Sequence, residues 1–147
     1  MSGYDYISAV TGCTTEIPGR FTISGPSFQL LADGSVATGG PGRAPGPLDL
    51  LVSALVTNLL NVLHGAEELD VDEADVRTVH VRARTSRYTP DRLKVGRVEI
   101  EVVIDELDPA AAEILLEQYR RGCRVLPAVE TVLDVRMRAV AAADAAA

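Results

Sequence analysis

The chain has 147 residues, of which 47% are apolar and 24% charged, and it carries a net charge of −7. That length suits one domain with a core of its own, and the acidic balance argues against nucleic acid, whose phosphates it would repel. Aromatics make up only 4%, with no tryptophan, so the core has to come from Leu, Val, Ile and Ala.

The first forty residues read as short strands broken by turns. Tyr4 to Val10, Arg20 to Ile23 and Ser27 to Leu31 have strand-like composition, the last running into the turn signal Ala32-Asp33-Gly34-Ser35. Gly39-Gly40-Pro41-Gly42-Arg43-Ala44-Pro45-Gly46 is too rich in Gly and Pro for a regular element. It is either a linker or a loop whose backbone comes close to something. Pro47 suits the first turn of a helix, and Asp49 puts a favourable charge near its positive end. This helix is predicted to run to about Ala66, with Gly65 as terminator. It is apolar on nearly every side, the mark of a helix buried all round.

An acidic segment, Glu67 to Asp75, leads to two half-buried antiparallel strands at Val76 to Thr85 and Val98 to Ile104, joined through Tyr88 to Lys94. Asp108-Pro109 is an N-cap and first-turn pair opening a helix through about Arg121, and Gly122 ends it. Val132 to Val140 reads as the last strand. The expectation is a single α+β domain over 1–140, with an Ala-rich tail, 141–147, that frays.

Met1 to Tyr6 is polar, so no secretory signal is expected there. The most hydrophobic run, Leu48 to Leu63, is too short for a bilayer span and carries Asp49, Ser53, Thr57, Asn58 and Asn61. Cys13 and Cys123 read as free thiols. A cytoplasmic protein is expected, with neither membrane nor nucleic acid as partner. The arginines at 82, 84 and 87 and at 120, 121 and 124 read as solvated faces. Two histidines and two distant cysteines show no ligand spacing, so neither a metal nor another cofactor is expected.

The order of elements and two local patterns resemble the OsmC/Ohr proteins (osmotically inducible protein C and organic hydroperoxide resistance protein). One pattern is a Gly-rich loop followed by Pro, an acidic residue and a small-and-apolar helix, here Gly39-Gly40 … Pro47-Leu48-Asp49 through Asn58. The other is a helix ending in cysteine, here Tyr119-Arg120-Arg121-Gly122-Cys123-Arg124. The resemblance implies an OsmC-like fold, with antiparallel sheets wrapped around a buried central helix in an intertwined homodimer. Independently, a helix as apolar as 47–66 is hard to cover in so small a monomer, which also favours a dimer.

The same resemblance places the peroxidatic cysteine at Asn58 and the resolving cysteine at Cys123, where the usual following proline is replaced by Arg124. It implies an N-terminal arginine paired with an acidic residue at the helix start. Arg20 or Arg43 with Asp49 are the candidates. Peroxidase chemistry needs a thiolate that attacks the peroxide and a second thiol that captures the sulfenic acid. Asn58 has no nucleophile, yet its amide both donates and accepts hydrogen bonds.

Ser53, Thr57, Asn61 and His64 fall along one face of the helix, with Asn58 beside them. Either they bond to backbone and to each other, or they line a cleft for a small polar or amphipathic molecule. Three readings follow. The first is a homodimer that binds or transforms a small molecule around Asn58 by non-redox chemistry, with His64, Asp49 and Glu16 as acid or base candidates and Cys123 still present. The second is a hydroperoxide reductase using Cys123 with Cys13. The third is a catalytically empty binding dimer.

Overall fold

The computed structural model describes residues 8–64, 78–87 and 95–145. The expectations for Tyr4 to Ile7, Gly65, Glu67 to Asp75 and the Tyr88 to Lys94 connection fall outside them, as does the His64 side chain. The chain divides into two compact units, Met1–Leu51 and Val52–Ala147.

The first unit is an antiparallel sheet in the order β1 (Thr11–Thr14), β2 (Arg20–Ser24), β3 (Gln29–Asp33). Among the described residues the first strand begins at Thr11, and residues 8–10, the described end of the strand expected over Tyr4 to Val10, have no regular structure. In the register of β2 with β3, Arg20 faces Asp33. The Gly-rich stretch is a loop held against its own unit. A Cβ on Gly40 would sit 2.0 Å from the Gly34 carbonyl oxygen, and Gly40 N donates to Ser35 O at 2.9 Å. Only glycine permits that approach.

Helix α1 (Pro47–His64) begins where the proline places it. Asp49 sits at its third position, and its Oδ2 accepts the Gly46 N–H at 2.9 Å, satisfying a donor at the helix entry. Within a single chain α1 is covered only in part. Leu55, Leu59 and Leu63, four residues apart, are fully buried, whereas Leu48, Leu51 and Leu60 are 45%, 37% and 37% exposed.

In the second unit, β4 (Val79–Arg87), β5 (Val95–Ile104) and β6 (Asp134–Ala139) form a sheet with β5 in the middle. β4 and β5 are antiparallel. β6 runs parallel to β5, because α2 (Pro109–Gly122) and α3 (Val125–Glu130) carry the chain back before it pairs. Val98, Ile100, Val102 and Ile104 point from β5 into a core shared with Leu55, Leu59, Leu63, Leu115, Leu116 and Leu126. Asp108 caps α2 as expected, its Oδ1 accepting the Ala111 N–H at 2.9 Å. Arg120 ties α2 to β6 by donating to the Met137 carbonyl at 2.7 Å. Ala142–Ala145 make one helical turn, α4. The α+β architecture expected from the order of elements is thus present.

Candidate functional site

Asn58 lies in the middle of α1, one turn from the buried Leu55 and beside Leu59, and is half-buried. Cys123 closes the end of α2, its N–H donating to the Tyr119 carbonyl at 2.9 Å. The two side chains meet although 65 residues separate them, with Cys123 Sγ 2.6 Å from Asn58 Oδ1. Tyr119, one helical turn before Cys123, donates its hydroxyl to the same Oδ1 at 3.1 Å. Leu126 N–H, at the start of α3, donates to Cys123 Sγ at 3.2 Å.

This chain of bonds lies at the edge of the core, with Tyr119 1% and Cys123 7% exposed. Burial, and then the neighbouring Cys123 sulfur, pushes the Tyr119 hydroxyl well above its ordinary value of 10.0. It is therefore a neutral donor at any physiological pH. The Cys123–Asn58 contact is a hydrogen bond only while the sulfur keeps its proton, since the amide oxygen has none to give. Cys123, the Tyr119 phenol and the Asn58 amide make up the cluster.

A buried charged cluster lies in the first unit. Arg20 donates to Asp33 through Nε to Oδ1 at 2.8 Å and through Nη2 to Oδ2 at 3.0 Å. The Asp33 Oδ2 also accepts the N–H groups of Arg43 at 2.8 Å and Ala44 at 2.9 Å. Asp33 is 1% exposed, and Arg20 holds its carboxyl far below the usual carboxylate range. The arginine–acid pair expected between Arg20 or Arg43 and Asp49 thus takes a different form. Arg20 pairs with Asp33, Arg43 contributes its backbone, and Asp49 holds Gly46.

The remaining candidates are dispersed. Ser53, Thr57 and Asn61 are exposed along α1, so they do not need the internal partners that burial would demand. Cys13 is exposed on β1. Among the described residues no three His, Cys, Asp or Glu side chains gather to hold a metal ion, and no helix is long and apolar enough to cross a membrane. Two residues that carry the clusters, Tyr119 and Asp33, were not among the sequence candidates. Tyr119 had a signal, its place one helical turn before Cys123. Asp33 had none beyond a turn, because its role depends on strand register.

The outer face of the second sheet is charged. Glu101 lies between Arg82 on β4 and Arg138 on β6, and Glu99 between Arg84 and Arg136. Arg138 Nη2 reaches Glu101 Oε1 at 2.6 Å and, as the leading cause, lowers the Glu101 carboxyl below its ordinary value. Two concavities of about 420 and 370 Å³ lie on this face, and neither is lined by Asn58. The arginines read as a solvated face are thus interleaved with glutamates.

No family model and no curated protein matches the chain. Solved structures do. An OsmC-like protein from Mycoplasma pneumoniae superposes with a TM-score of 0.71 at 16% identity, covering 94% of this chain and 99% of that one. OhrB, the organic hydroperoxide resistance protein of Bacillus subtilis, gives 0.64 at 17% identity over 92% and 98%. An organic hydroperoxide resistance protein from Elizabethkingia anophelis gives 0.63 at 15% identity over 95% and 99%. The chain has the fold of these OsmC-like and Ohr proteins, and the resemblance read from its sequence holds at that level.

Proposed function

We propose that this protein is an OsmC-like homodimer without the peroxidase cysteine pair, which binds or transforms a small molecule around Asn58 by non-redox chemistry in the cytoplasm. One observation carries the reading. Where the resemblance puts two thiols in reach of each other, Cys123 Sγ instead meets an amide oxygen at 2.6 Å. An amide cannot attack a peroxide, and the remaining thiol has no partner at position 58 to resolve. Arg20, the first candidate for the activating arginine, is held by Asp33.

The dimer rests on the exposed leucines at 48, 51 and 60. These leucines are apolar surface that one chain leaves open and a second copy would cover. In the dimer, Ser53, Thr57 and Asn61 add polar contacts to the site.

Hydroperoxide consumption with excess dithiol tests the chemistry: the wild type turns over no faster than Cys123→Ser. A robust wild-type rate that vanishes on changing Cys13 or Cys123 would overturn it in favour of a relocated cysteine pair. Sedimentation tests the assembly, with a dimer expected at micromolar concentration, and a stable folded monomer there would refute it.

A further inference from the structure

The hydrogen bonds around Asn58 fix which end of its amide faces inward, and that end decides what kind of ligand the other can hold. The Cys123 sulfur already accepts the Leu126 N–H at 3.2 Å. Its S–H meets the Asn58 Oδ1 at 2.6 Å. Tyr119 points the same way. Its hydroxyl is buried and stays protonated, so its hydrogen needs an acceptor, which it finds on the same atom at 3.1 Å. Two donors converging on one end of a planar amide identify that end as Oδ1, and the NH2 group occupies the other. Tyr119 and Cys123 are thus positioning residues for the amide.

We infer that Asn58 offers its Nδ2 hydrogens to the site, and that the ligand meets it with a hydrogen-bond acceptor: a carboxylate, carbonyl, sulfoxide or ether oxygen, and not an amine or guanidine. The inference rests on the site reading proposed above and adds the polarity of the ligand to it. The selectivity has a physical source. A ligand that brings an N–H to this point faces the amide hydrogens across the contact, and neither partner has an acceptor to give.

The chain has two asparagines, Asn58 and Asn61. Labelling with ¹⁵N-asparagine therefore gives two side-chain amide signals, and Asn61→Ser leaves the Asn58 pair alone and assigned. The probes are small molecules of one polarity: dimethyl sulfoxide and acetate as acceptors, methylammonium as a donor. Titration of the dimer with either acceptor is expected to move the Asn58 signals saturably, while methylammonium leaves them in place. Asn58→Asp keeps an oxygen toward Tyr119 and Cys123 and puts another where Nδ2 was. It is expected to lose about tenfold in affinity for dimethyl sulfoxide, the loss of roughly one hydrogen bond. Dimethyl sulfoxide carries no charge, so repulsion by the new carboxylate does not explain such a loss. Tyr119→Phe releases one of the two donors and is expected to weaken binding less.

Methylammonium moving the Asn58 signals while the acceptors do not would overturn the polarity and leave the site reading intact. So would Asn58→Asp binding dimethyl sulfoxide as well as the wild type. If no probe moved any signal, the site reading itself would fail, and this inference with it.

Discussion

Two buried polar clusters in this molecule solve different problems. Asp33 accepts four hydrogen bonds, two from Arg20 and one each from the backbones of Arg43 and Ala44. It is a fastening that stitches the Gly-rich loop to β3, three of its bonds falling on Oδ2 and one on Oδ1. In the Asn58 cluster the amide oxygen takes two donors, from Tyr119 and Cys123, and the amide hydrogens face elsewhere. The first cluster fastens a loop, and the second keeps a functional group in hand.

The contrast is broken most severely at Asp33. Asp33→Ala leaves a half-buried guanidinium without its partner and two loop N–H groups without an acceptor. It is expected to cost more stability than any other change considered, read as the urea midpoint. The Arg43 and Ala44 amides should also lose protection from hydrogen exchange. The pH dependence has a definite sign. Folding holds the Asp33 carboxyl below its ordinary value of 3.8, so its contribution is complete above that pH. It is lost as pH falls below 3.8 toward the folded value. Asp33→Asn should lack this acid-dependent component in a urea series run at successive pH values.

At the Asn58 cluster the effects are smaller. Tyr119→Phe removes one of two donors to Asn58 and should cost about 1 kcal/mol in equilibrium unfolding. Its pH signature is the opposite one. The Tyr119 hydroxyl is raised above its ordinary 10.0 in the fold, so its share of stability is whole below pH 10 and declines as pH rises past it. In Tyr119→Phe that alkaline decline should be weaker. Cys123→Ser, which keeps a donor at the same place, should change the unfolding midpoint least. If it proved as damaging as Asp33→Ala, the sulfur would be more than one link in a chain of hydrogen bonds.

Much of this architecture is written locally. Pro47 and Asp49 set the start of α1, and Asp108 with Pro109 set the start of α2, because capping depends on residues adjacent in sequence. What stayed hidden depends on pairing. Arg20 and Asp33 meet through the register of β2 with β3, which no composition reveals. The parallel course of β6 was equally invisible, since alternation reads the same in either direction. Helix α3 escaped because Pro127 looks like a breaker, yet it sits in the first turn, where its missing N–H is not needed. The approach of Asn58 to Cys123 was implied by the resemblance alone. The exposed leucines of α1 follow from the same limit, because a hydropathy pattern does not say whether one chain or two must cover a helix.

The central claim is that position 58 has been rebuilt for another ligand rather than emptied, and Asn58→Cys tests it most directly. A thiol placed there lies beside Cys123 while Arg20 is held by Asp33, so it stays largely protonated near an ordinary pKa of about 8.5. In the full cycle, a thiolate at 58 would attack the peroxide, break its O–O bond, release the alcohol and become a sulfenic acid. The Cys123 thiol would then displace water to form a disulfide, which the added dithiol reduces. The account predicts sluggish hydroperoxide consumption by Asn58→Cys, with little disulfide between positions 58 and 123 by mass spectrometry. Fast turnover with that disulfide formed would contradict it, and the site would be a peroxidase lacking only its first thiol.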